Sequence, residues 1–371
     1  MIETIKFKQE EVYDRLKADI LAGRLKEAAQ LPKEVDLARS LGVARGTLRN
    51  VLDMLENDGL IVRLRSKGTF VKPRNQGTET RKILILLDTI NQSDITWPSN
   101  YIIPGIENEA GKLGMKTEVC PLHFVSGMDI DAGVSFLQKA DIYGAVIFGG
   151  RFTGNEPYIR MLRKLGKPVV MAHAYPGDYR TTGFASIRTD LLDSWRTGIR
   201  YLKSKGHQCI ATINAKVFRG YEEDTEGYYR FLEKEGICNP DLIKIVKYDY
   251  ANIKNTLTGF MKLGETPTAV LCYSDFYAMH LLQAAKELGI KVPDDLAVMG
   301  YCGFPGGAYL DPPLSTVDFH YFRIGETVVR IFDKAHEWFA IEGVSAPDIV
   351  FPYEIVERKS TLTKRLEGAF L

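Results

Sequence analysis

Pro267-Thr268-Ala269-Val270-Leu271-Cys272-Tyr273-Ser274-Asp275-Phe276-Tyr277-Ala278 decides the fold class of most of this chain. Four apolar residues, 269–272, run between a proline and a Ser-Asp pair, the pattern of a short strand buried on both faces. A helix-like segment over 276–288 follows at once and ends at Gly289. A carboxylate placed where such a strand gives way to its helix, here Asp275, points to the crevice at the C-terminal edge of a parallel sheet.

The same rhythm runs outward in both directions. Apolar runs at 83–87, 143–148, 168–171, 209–213, 243–246 and 296–299 alternate with amphipathic stretches such as 102–113 and 191–205. This alternation is the signature of a parallel α/β sheet covered by helices. About 280 residues exceed one comfortable doubly wound domain, so two lobes are expected. Near residue 73 the character changes. Pro73-Arg74-Asn75-Gln76-Gly77-Thr78-Glu79-Thr80 is polar and aperiodic and reads as a linker. The 371 residues are expected to divide into an α+β unit at 1–73, a linker at 74–82, a two-lobed α/β domain at 83–360 and a tail at 361–371.

Before the linker, Val12, Leu16 and Ile20 mark the buried face of one helix, around 10–21. A second helix is expected around 33–40, stopped by Leu41-Gly42. A third, around 45–56, buries Leu48, Val51, Leu52 and Leu55 and leaves Arg45 and Arg49 off that stripe, one turn apart, beside Gly46 and Asn50. A recognition helix presents cations to a DNA groove in this way. Two short strands, 61–64 and 69–72, turn through 65–68 and complete a winged helix-turn-helix. Between Arg39 and Arg74 stand eight Lys or Arg and three Asp or Glu, against 48 and 47 in the whole chain. That local excess is the electrostatic footprint of phosphate contacts. A charge run alone is more often a solvated or protein-binding face; the order of the elements is what favours DNA.

Over nearly all of 10–73 this unit resembles the GntR family of regulators. The likeness lies in Leu31-Pro32-Lys33-Glu34, Leu37-Ala38-Arg39-Ser40-Leu41-Gly42-Val43, Arg45-Gly46-Thr47-Leu48-Arg49, 55–61 and Gly68-Thr69-Phe70-Val71. The resemblance implies that Lys33, Arg45, Gly46, Thr47, Arg49 and the wing tip Lys67-Gly68-Thr69 touch DNA. Arg45 and Arg49 are the candidates for base edges, because arginine can bond guanine O6 and N7 bidentately; the others suit phosphates. Ala44 stands where the family has a helix-capping serine, and Val35 where an arginine is common.

Much is excluded. Cys120, Cys209, Cys238, Cys272 and Cys302 form no CxxC pair and are odd in number, which suits a reducing cytosol. The N-terminus lacks the apolar core of a signal peptide, and no run approaches the ~18 residues of a membrane span, so a cytoplasmic protein is expected. GxGxxG, GxxxxGK[ST], GxSxG and HExxH are absent, and the six histidines show no metal-ligand spacing. No reaction, cofactor or metal is indicated.

The stretch 267–278, together with 292–301, 312–317, Gly105-Ile106-Glu107, Gly206-His207 and Glu357-Arg358-Lys359-Ser360, resembles the effector domain of the lactose-repressor (LacI) family over about 83–360. Joined to a GntR-type reader, it looks like the arabinose-repressor subgroup. The resemblance implies two periplasmic-binding-protein-like lobes, crossings near 185, 316 and 346, a sugar-like effector in the cleft and homodimerisation. It assigns Asp275 to sugar hydroxyls, with helix capping as the alternative. Trp97 would stack on a sugar face or pack in the core. His173, Asp190, Tyr248 and Phe319 are ligand candidates that could equally be structural. Asp224 occupies the place of a family arginine, and Cys302-Gly303 replaces an acidic pair. Losing that arginine favours a neutral or amino-bearing sugar over an anion, unless Arg219 or Arg188 restores the cation.

The resulting expectation is a ligand-responsive repressor binding double-stranded operator DNA of a carbohydrate-utilisation operon. Two alternatives stay open: a regulator whose effector domain only dimerises, and a cytoplasmic sugar-binding protein without a DNA role.

Overall fold

The computed structural model describes residues 8–21, 24–25, 30–58, 60–64, 68–71, 81–87, 97–221, 223–339 and 343–362. Two compact units divide at Glu79/Thr80. The wing-tip Lys67 and most of the expected linker and tail lie outside the described residues.

The first unit contains α1 (Lys8–Leu21), α2 (Glu34–Leu41), α3 (Arg45–Asn57) and an antiparallel hairpin of β1 (Ile61–Leu64) and β2 (Gly68–Val71). Its core is built from the stripes the sequence shows: Val12, Leu16 and Ile20 meet Leu37, Leu48, Val51, Leu52 and Leu55, closed by Ile61 and Val71. Gly42 ends α2 in the left-handed region (φ 64°), which lets the chain turn sharply into α3.

The second unit holds two six-stranded sheets. In chain order it runs β3 (Lys82–Leu87), α4 (Ser99–Lys112), β4 (Lys116–Pro121), α5 (Leu122–Ser126), α6 (Ile130–Lys139), β5 (Gly144–Phe148), α7 (Pro157–Leu165), β6 (Val169–Ala172), α8 (Asp178–Thr182), β7 (Ala185–Thr189) and α9 (Leu191–Ser204). There follow β8 (Ile210–Asn214), α10 (Thr225–Lys234), β9 (Ile243–Ile245), α11 (Tyr250–Phe260), β10 (Ala269–Cys272), α12 (Asp275–Glu287), β11 (Ala297–Cys302), β12 (Ser315–Asp318), α13 (Tyr321–Asp333), α14 (Ala335–Trp338), β13 (Asp348–Phe351) and β14 (Glu354–Val356).

The first lobe is ordered β4-β3-β5-β6-β7-β13 and is parallel throughout. The second is ordered β9-β8-β10-β11-β12-β14, with only β14 antiparallel. The chain passes between sheets three times: after Thr189, after Asp318, and between Phe351 and Glu354. Central strands are nearly water-free on both faces, which is why they read as unbroken apolar runs.

One helix pair stiffens the first lobe. A Cβ on Gly105 of α4 would lie 2.0 Å from the Phe322 carbonyl oxygen of α13, and one on Gly325 would lie 2.1 Å from that of Ile102. Reciprocal glycines let the two backbones touch.

Candidate functional site

Two surfaces carry candidate chemistry. In the first unit, Lys33, Arg45, Gly46 and Arg49 are exposed and Thr47 is half-exposed, while the opposite face of α3 is buried. Ala44 is the N-cap of α3 and makes no side-chain capping bond, and the first turn carries no acidic residue. The helix N-terminus is thus open to an anion, and Arg45 stands beside it. Arg49 meets Glu34 at 3.1 Å, with the two side chains 60% and 28% exposed. A pair so solvated holds little energy and gives way readily to a stronger acceptor. On the wing, Gly68 (φ 116°) is exposed and Thr69 half-exposed. Arg63, by contrast, is occupied by Glu56 and Asp53 and is not spare for a ligand.

In the second unit a cavity of about 390 Å³ opens where the C-terminal edges of both sheets face each other. Its size suits a small ligand. The first lobe supplies Trp97 just before α4 and Ser99 at its start, Phe148 and Gly149 at the end of β5, and His173 and Tyr175 after β6. The second supplies Arg219 after β8, Tyr248 after β9, Tyr273 and Ser274 after β10, Tyr277 on α12, and Cys302 and Phe304 at the end of β11. A more voluminous depression of about 550 Å³ lies against β9 and α11. It sits on a sheet flank rather than at strand ends, so the interlobe cavity is the better ligand site.

Three sequence-nominated residues meet in this cavity: Trp97, His173 and Tyr248. Four do not line it. Asp275 lies fully buried beneath, with one carboxylate oxygen accepting from the Phe304 N–H and the other from the Thr316 hydroxyl, each at 2.6 Å. Gly300 makes room for it, since a Cβ there would lie 2.0 Å from Asp275 Oδ1. The loop after β11 folds over the carboxylate, so it ties strands together instead of meeting a sugar. Burial pushes its pKa up to about 7 despite those hydrogen bonds. Asp190 accepts from the Asp193 N–H and caps α9; Asp224 accepts from the Gly227 N–H and caps α10. Phe319 has no exposed surface and stands edge-on to Tyr301 and Tyr321.

His173 sits at φ 55°, and its Nδ1 is buried without a hydrogen-bond partner. Burial, helped by the nearby Arg219, pulls its pKa down to about 4, so it is neutral at physiological pH.

Arg219, named from the sequence only as a cation that could stand in for the family arginine, is the one of the two alternatives that lines the cavity. Its guanidinium lies 3.8 Å from the Tyr273 ring centroid, Nε donates to the Tyr273 carbonyl at 3.4 Å, and one terminal nitrogen reaches Cys302 Sγ at 3.6 Å. The residue is half-buried and lines the cavity. Arg188 instead faces Asp348 at 3.5 Å.

The described residues bring one metal-like grouping together that sequence spacing does not reveal: Asp318, His320 and Glu354, beside two of the lobe crossings. No described helix is long and apolar enough to cross a membrane.

Comparison with known proteins agrees with both halves. Residues 8–71 match the gntR family of bacterial regulatory proteins, and residues 199–361 match a periplasmic binding protein-like domain. The arabinose metabolism transcriptional repressor of Halalkalibacterium halodurans is 26% identical over 375 residues, covering 96% of this chain and 97% of that protein. The transcriptional repressor CytR of Escherichia coli K12 is 28% identical over 262 residues, 69% of this chain and 73% of that protein. A LacI-family regulator of Enterococcus faecium with bound ribose shares the fold at TM-score 0.58 and 20% identity, covering 76% of this chain and 98% of its own.

Proposed function

For a chain whose residues 8–71 match the gntR family of bacterial regulatory proteins and whose residues 199–361 match a periplasmic binding protein-like domain, we propose a ligand-responsive transcription repressor. Its first unit binds operator DNA of a carbohydrate-utilisation operon, and its second senses a sugar-like effector. The observation that carries this reading is the cavity lined by the C-terminal edges of both sheets in a chain that also bears an exposed Arg45 and Arg49 on a winged helix. The relatives that are repressors, one of arabinose metabolism, and the ribose-bound neighbour support it.

The physics of the switch follows from the three crossings. A ligand that contacts both lobes binds their closed arrangement better than an open one and shifts the population by that difference in affinity. In a homodimer built through the second unit, such a shift alters the spacing at which two recognition helices meet two half-sites. Within the reader, Arg45 and Arg49 read base edges and Lys33, Thr47 and the wing hold phosphates.

The test is binding of the full chain to its own upstream DNA by fluorescence anisotropy, against a shuffled duplex and across salt. The reading expects sequence-selective binding with a steep salt slope and a change in affinity on adding effector. Equal affinity for both duplexes would remove the repressor assignment. Selective binding that no sugar alters would leave the second unit as a dimerisation module.

A further inference from the structure

Among the described residues lining the interlobe cavity, Arg219 is a cation with no carboxylate facing it. Arg219 meets the Tyr273 ring, the Tyr301 ring at 5.4 Å, the Tyr273 carbonyl and the Cys302 sulfur, none of them a negative charge. Burial pushes the Cys302 thiol up to about 11, so it faces the guanidinium as a neutral group. Arginine stays charged, and an enclosed charge is costly unless it is paired. Two ring faces and one long carbonyl bond leave most of its five N–H donors unused.

Three further features at the same cavity point to the same chemistry. Ser99, in the first turn of α4, and Ser274, the N-cap of α12, both line it, so the positive ends of a 14-residue and a 13-residue helix converge there. Ser274 makes no side-chain capping bond, and its hydroxyl is unspent on the helix. The buried Nδ1 of His173 has no partner. An aromatic wall that includes Trp97 and Tyr248 offers faces for the apolar side of a carbon skeleton.

We propose that the effector is an acidic sugar derivative, with a carboxylate or phosphate that pairs with Arg219 between the N-termini of α4 and α12. The inference rests on the reading of this cavity as a sugar sensor and reverses the lean toward a neutral ligand drawn from Asp224. The cation is present, but the loop after β8 delivers it five residues earlier, at Arg219, and spends Asp224 on capping α10.

The experiment is thermal shift and isothermal titration on the full chain with matched probes. D-glucuronate and D-glucose form one pair, D-galacturonate and D-galactose another. Glucose 6-phosphate against glucose separates a phosphate from a carboxylate as the anion. At least one acid should bind about tenfold or more tighter than its neutral parent, a difference of roughly 1.4 kcal/mol or more. Arg219→Gln should bring that acid to its parent's affinity while the affinity for the neutral parent stays unchanged and the protein without ligand still melts in one cooperative transition. Arg219→Lys should retain part of the preference.

Neutral parents binding as tightly as their acids would overturn the inference and leave the sugar sensor standing. An acid preference that survives Arg219→Gln would overturn the role of Arg219. No stabilisation by any probe would overturn both the inference and the sensor reading beneath it.

Discussion

Asp275→Asn should change the pH dependence of stability more than stability itself. Its carboxyl is pushed from 3.8 up to about 7 by burial, which outweighs its hydrogen bonds with the Thr316 hydroxyl and the Phe304 N–H. Between those pH values the unfolded chain has released the proton and the folded chain keeps it. Folding stability is therefore fully present below pH 3.8 and declines as pH rises toward 7. A difference of about three pH units at roughly 1.4 kcal/mol each corresponds to about 4 kcal/mol lost by pH 8. Asparagine has the same shape. Its oxygen can accept from Phe304, and its amide can donate to a rotated Thr316 hydroxyl, as a protonated Asp275 would. The variant should match the parent near pH 4.5 and exceed it by about 2–4 kcal/mol at pH 8. His173 acts with the opposite sign: its pKa is held down at about 4, so stability falls as pH drops from 6.5 toward 4. The parent curve therefore mixes two slopes, and the quantity to read is the difference between variant and parent in urea melts from pH 4.5 to 8. A variant less stable by the same 1–3 kcal/mol at every pH would refute the reasoning. It would mean that the ionised carboxylate is held by its donors rather than penalised by its burial.

Other outcomes follow from the same geometry. Arg45→Ala should weaken operator binding by about 1–3 kcal/mol and relax selectivity at one base pair, read by anisotropy on single-substituted duplexes; a uniform loss across all duplexes would make Arg45 a phosphate contact. Ala44→Ser supplies the cap that α3 lacks and should raise the stability of the first unit by about 0.5–2 kcal/mol in denaturant melts. Gly105→Ala drives a methyl into the Phe322 carbonyl and should cost about 1–3 kcal/mol; a melt unchanged within error would show that α4 and α13 part freely.

The sequence made legible whatever is written in local pattern. Strands β3, β5, β6, β8, β10 and β11 are central and apolar, and α9 and α12 start at polar residues that mark the turn from strand to helix. Strand β4 escaped because it is an edge strand with alternating charged residues and mostly exposed side chains. Strands β7 and β12 escaped because Ser186, Thr189, Ser315 and Thr316 are buried polar residues that interrupt the apolar run. In the cavity, Trp97, His173 and Tyr248 are candidates through the resemblance to the LacI effector domain, and each also follows a recognisable strand. Applying that rule to every strand would also have found Tyr273, Cys302 and Phe148. Asp275 and Arg219 traded roles for a reason no spacing reveals: the β11 loop covers one and the β8 loop uncovers the other.

The reciprocal contact of Gly105 and Gly325 also assigns the moving parts. Helix α4 begins two residues after Trp97, and α13 begins directly after the second crossing. With their backbones interlocked, neither helix can slide past the other without lifting a carbonyl over a Cα. The wall carrying Trp97 and the strap leading out of β12 should thus travel as one rigid plate. Any hinge between lobes would then be confined to the few residues after Thr189, around Phe319 and His320, and near Tyr353. The left-handed φ of 54° at His320 lies in that short list, at a joint where a change of one torsion is converted into a swing of a whole lobe.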